Sequence, residues 1–194
     1  MGATMRAATL GAGLLSAALV APALAQTGFC PQVSLLPLTD SITIFEPARA
    51  DDSRRHVFWS GHLDSVAITC RREENALPRY ADIRFAGTAN SAGGELITGS
   101  APIFVSLVRR GNVAAGGRDE LLEKRIHEQA FVMTAEMDRI AWEGAFADFP
   151  IPQESTQERR RLRFFVGFQL DEEQLTYNRR QAASAETTGG RARP

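Results

Sequence analysis

The chain has 194 residues, 44% of them hydrophobic and 23% charged, and carries 22 basic against 23 acidic side chains for a formal net charge of −1. That length fits one domain once any leader is set aside. The near-even balance of charge argues against nucleic acid as a partner and against electrostatic attachment to a membrane surface.

The first 25 residues read as a secretory signal peptide. Arg6 is the only charge before Asp40, an apolar run extends from Ala7 to Val20, and Pro22 breaks it. Ala23-Leu24-Ala25 then supplies a small-x-small cleavage pattern, which predicts a cut between Ala25 and Gln26. The apolar run is too short, and stopped too sharply by proline, to be a membrane anchor. No later stretch is apolar enough to span a bilayer, so no transmembrane segment is expected in the mature chain. Residues 26–194 retain 21 basic and 23 acidic side chains, a net charge of −2. Cys30 follows closely, but Thr27-Gly28-Phe29 is a poor lipidation signal, so a lipid anchor is not expected. The predicted address is the periplasm. In that oxidising compartment Cys30 and Cys70 are expected to form a structural disulfide across a loop of roughly 40 residues. Neither has a C-x-x-C neighbour, which argues against a redox-active pair.

Further along, Val33–Leu38 and Ile42–Phe45 are short apolar runs near Pro37 and Pro47, and they read as edge strands or extended arms. From His56 to Cys70, Val57, Trp59 and Leu63 share one parity, while Val66, Ile68 and Cys70 share the other. A β-bulge near Gly61 would produce such a phase switch. Ile83 and Phe85 alternate with Asp82 and Arg84, Asn90–Gly94 reads as a turn, and Ile103–Val108 is apolar on both parities, as in a covered central strand. Arg109–Gly117 reads as a loop.

Two readings stay open for residues 119–138. Leu122, Ile126, Ala130, Met133 and Met137 recur at spacings of three and four, which suits a helix capped by Asp119. Phe131-Val132-Met133-Thr134 favours strand instead, and Ile140, Trp142 and Phe146 share a parity beyond it. The Arg159-Arg160-Arg161 run, diluted by Glu154 and Glu158, reads as a solvated loop. Leu162, Phe164, Val166, Phe168 and Leu170 mark the strongest strand, on one face. Asp171 and Gln174 make a capping-box pair for a short helix over 172–182, and residues 185–194 read as a disordered tail.

The Cys30-Pro31 start, the Leu38–Pro47 stretch, Cys70, Phe104-Val105-Ser106-Leu107 and the ending VGFQLDEEQLTYNRR (Val166–Arg180) resemble a family of small uncharacterised exported bacterial proteins, some of them lipoproteins. The resemblance covers most of the mature chain. It implies a mainly β fold, an immunoglobulin- or fibronectin-like β-sandwich with a short C-terminal helix, as one domain over 26–184. It also favours strands over 120–149. The alternative is an α+β fold with a helix at about 119–138. The family lends no activity.

Motifs that carry chemistry are sparse. His62 and Asp64 form an H-x-D pair whose side chains would share a strand face, making them weak candidates for a metal; two ligands do not make a site, and His56 would have to join. Ser65 completes the residue types of a hydrolase triad without a G-x-S-x-G turn. No phosphate-binding glycine motif is present. The acidic pairs Asp51-Asp52, Glu73-Glu74, Asp119-Glu120 and Glu172-Glu173 read as loop or helix-start carboxylates, and Trp59 and Trp142 read as core. No catalytic residue and no cofactor is assigned. The expected function is a non-catalytic binding or structural module of the cell envelope, its partner an envelope protein. The alternative is a small enzyme or ligand binder whose site is assembled from distant strands.

Overall fold

The computed structural model describes residues 30–46, 56–71, 77–91, 96–112 and 116–189. The predicted signal segment, the Ala25–Gln26 bond, Thr27–Phe29, the acidic pairs at 51–52 and 73–74, and most of the turn at 90–94 lie outside the described residues.

Among the described residues eight strands form two four-stranded sheets: β1 (Gln32–Leu35), β2 (Ser41–Phe45), β3 (Val57–Arg71), β4 (Tyr80–Ser91), β5 (Ile97–Arg109), β6 (Glu120–Met133), β7 (Arg139–Pro150) and β8 (Leu162–Phe168). The first sheet has the order β1-β8-β5-β6 and the second β2-β3-β4-β7. All pairings are antiparallel except β1 with β8, where Gln32–Leu35 run alongside Arg163–Val166. The chain is therefore a mainly β sandwich, as expected. Its likeness to an immunoglobulin domain is one of outline; the strand order within each sheet is different.

Alternation built the core. Leu162, Phe164, Val166 and Phe168 of β8 are all fully buried, and face Leu63, Ile83 and Phe149 of the other sheet within one cluster. Aromatic edges lock the two layers together. Trp59 meets Phe131 at 4.7 Å, Phe149 meets Phe164 at 5.1 Å and Trp142 meets Phe168 at 6.3 Å between ring centroids. Each such burial contributes about 1.5–3 kcal/mol before entropy is counted. Trp59 and Trp142 are core residues, as the sequence suggested.

The phase switch in β3 exists but lies three residues beyond Gly61. Leu63 pairs with Gly87 and Ser65 with Ala86, so Asp64 is the extra residue of the bulge. Gly61 is needed for another reason: a side chain there would press on Ile42 and Trp59. Downstream of the bulge Cys70 is the last residue but one of the strand, and the predicted disulfide is present. Cys30 and Cys70, with Cα atoms 5.8 Å apart, tie the start of β1 to the end of β3 and so staple one sheet to the other.

Residues 119–138 are not a helix. They form β6 and the turn that leads into β7. The spacing of four that links Ile126 and Ala130 is also a multiple of two, so these residues share a strand face, while Phe131 and Met133 on the other parity enter the core. Asp119 does not cap a helix. Its carboxylate accepts the Gly111 N–H at 2.8 Å and pairs with Arg110, closing the β5–β6 hairpin.

The Arg159–Arg161 run is likewise not a solvated loop. Ser155 caps a single helical turn, α1 (Thr156–Arg159), which rotates Arg159 inward to 3% exposure, where its Nη2 donates to the Pro78 carbonyl at 2.7 Å. After β8, Asp171 and Gln174 bond reciprocally, each backbone N–H to the other's side chain, and start α2 (Glu172–Gly189). Asn178 anchors this helix by donating to the Leu38 and Ser41 carbonyls, both at 2.8 Å. The helix continues past 182, so residues 185–189 of the expected tail are helical; Ser184 and Thr187 hydroxyls donate to carbonyls four residues back, compatibly with helix. Residues 190–194 lie outside the described part.

Candidate functional site

The residues singled out for chemistry do not converge. His62 and Asp64 are both exposed on β3, with Asp64 displaced by the bulge. Among the described residues no three His, Cys, Asp or Glu side chains are placed to hold a metal ion. His127 lies elsewhere, half-buried on the inner side of β6, its ring 6.1 Å from Phe85 and 5.9 Å from Phe146. Ser65 is exposed on the outer side of β3, well away from that histidine's sheet.

Charged side chains instead fasten loops and edges. Arg109 binds Glu154 and Glu120; hydrogen bonding to Glu154 is the main cause that raises its pKa above the usual arginine value, against an opposing effect of burial. Arg71 joins Asp148 and Asp82, and its pKa is raised chiefly by the bond to Asp148. Burial lowers the pKa of Arg159, with the charge of Glu154 opposing it. Glu120 and Asp119, one of the acidic pairs, are thus ion-pair partners at a hairpin. Glu172 and Glu173 occupy the first turn of α2, where the helix dipole favours them.

The feature that stands apart is β6. From Glu123 to Gln129 its inner side is polar: Glu123, Arg125, His127 and Gln129 take the half-buried positions, while Lys124, Ile126 and Glu128 face out. Arg125 makes this tolerable. Its guanidinium lies 4.7 Å from the Phe149 ring centre, its Nε donates to Glu123 at 2.8 Å and its Nη1 to the Asp148 carbonyl at 3.3 Å. The outward side carries Leu121, Ile126 and Val132, which are 59%, 54% and 55% exposed. Beside them Lys124 covers Phe104 of β5, its Nζ 4.7 Å from the ring centre, and reaches Gln169. Among the described residues β6 forms a strand ladder with β5 alone, so its other edge is open.

Of these, the sequence pattern puts Ile126 on a helix stripe and Val132 in a strand-favouring run, and does not single out Leu121. Strand parity places Ile126 and Val132 outside, and the bulge at Leu122 brings Leu121 onto the same face.

No protein-family model matches the chain, and no curated protein matches it.

Proposed function

We propose that this chain is an exported, non-catalytic module of the cell envelope that acts in the periplasm by holding a protein partner along the exposed strand β6. The observation that carries this reading is the trio Leu121, Ile126 and Val132, large apolar side chains more than half exposed on one strand. Large apolar side chains repeatedly left exposed along one strand face offer a partner apolar anchor points. The surrounding construction supports it. The layer between the sheets is filled by interlocking aromatic rings, and the disulfide braces the sandwich in the manner of proteins that live outside the cytoplasm.

The test is a photo-crosslinking amino acid placed at position 126 in cells expressing the native protein, followed by recovery of the adducts. A discrete adduct at 126, absent when the probe sits at the exposed position Ser65 on the other sheet, supports the reading. Equal labelling at both positions, or none at 126 in well-expressed protein, overturns it.

A further inference from the structure

We propose that the partner of β6 is a second copy of this chain, added antiparallel to the open edge about a two-fold axis at Ile126. This rests on the reading of β6 as a contact surface. Charge complementarity argues for the occupant. In this register Lys124 of each protomer, once its ammonium leaves Gln169, lies directly opposite Glu128 of the other, and the two Ile126 side chains face each other. Edge strands normally use charges to repel further strands. Here the charges match their own image.

Registers shifted by up to two residues from this one fit less well. A slip by one residue sets the outer face of one copy against the inner face of the other. Moving the axis by one residue to 125 or 127 keeps the faces aligned but sets Ile126 opposite Lys124 or Glu128. Moving it by two sets Lys124 against Lys124 or Glu128 against Glu128. The bulge at Leu122, between the Val108–Leu121 and Leu107–Glu123 pairs, bounds the favoured ladder at Glu123, and its symmetry mate is Gln129. On the inner side Arg125 faces His127 of the other copy, and that guanidinium is already paired with Glu123.

Sedimentation velocity of the purified exported protein should show a concentration-dependent dimer. Lys124→Glu and Glu128→Lys, each folded by circular dichroism, should each weaken it by about tenfold or more, because each places two like-charge pairs across the axis. An equimolar mixture of the two single variants should recover the dimer, since every pair across the axis is then opposite in charge. The double variant should recover it too. Lys124 also covers Phe104, so Glu128→Lys is the cleaner single change. A wild-type protein that stays monomeric, or a dimer insensitive to both single changes, overturns the proposal. If another protein is then captured at position 126, the contact surface stands and only its occupant is wrong. If nothing is captured there, both fall.

Discussion

Replacing Cys30 and Cys70 together with alanine removes the covalent link between the sheets. The two cysteines are 40 residues apart. The chain-entropy model converts a loop of that size to about 13 cal/mol/K, or about 4 kcal/mol at 25 °C, by which the unfolded chain is favoured once the link is cut. For a domain of this size each kcal/mol moves the midpoint by about 2–4 °C, so Tm should fall by about 8–16 °C. A local effect accompanies the global one. β1 has four residues and, among the described residues, its one ladder is the parallel one to β8, with Cys30 just ahead of it. Cutting the link should therefore free β1 first. Equilibrium urea unfolding of the oxidised protein and the double variant gives the energy, with a larger m-value for the variant because its unfolded chain is less compact. Hydrogen exchange gives the location: the Leu36 N–H, which donates to the Val166 carbonyl at 2.8 Å, should lose protection ahead of the β5 amides. Alkylation and mass spectrometry should find both thiols blocked in the exported wild type. A loss under about 1 kcal/mol, or unchanged protection at Leu36, would refute the argument that this bond holds β1 in place.

Three further changes have definite outcomes. Arg159→Ala should cost about 1.5–3 kcal/mol by urea unfolding, because it removes the shorter, charged one of the two hydrogen bonds to the buried Pro78 carbonyl, the other coming from Gln153, whereas Arg160→Ala, at an exposed neighbour, should stay within about 0.5 kcal/mol. Gly167→Ala should cost about 1–3 kcal/mol, since a methyl group there overlaps the Thr39 hydroxyl; adding Thr39→Ala should return part of the loss, and strict additivity of the two would rule out the clash. Asn178→Ala should leave the Leu38 and Ser41 carbonyls without their donor, lower stability by about 1–3 kcal/mol and speed proteolysis within α2; unchanged cleavage would show that the anchor lies elsewhere.

Much of the sandwich was legible because strand parity is a local signal. β8 alternates without a break, β5 is apolar on both parities and does lie between two neighbours, and the Asp171–Gln174 pair starts its helix where two side chains and two N–H groups required it. The bulge in β3 was legible in kind. Trp59 and Leu63 bracket Gly61 in one phase, so the switch had to fall between Leu63 and Val66, and the glycine distracted from that. β6 failed for an arithmetic reason: residues four apart satisfy a helix stripe and a strand face alike. What decided it was the ladder to β5, a contact between separate segments. Arg159 was illegible in a similar way. Three consecutive arginines look equivalent until one helical turn points the first of them inward.

The one parallel pairing has a consequence for the order of events. β1 is made first and β8 last, yet β8 lies between β1 and β5 in the finished sheet. As the chain grows, the first sheet therefore lacks an interior strand until nearly all of it exists. Its earliest strand must wait, with the Gln32–Arg163 partners more than a hundred residues apart along the chain. Loop closure over that distance is slow to be rewarded, which places folding at the millisecond-to-second end of the range for small domains. A shortened chain ending before Leu162 would thus lose more than its last strand; it would leave β1 and β5 with no strand between them.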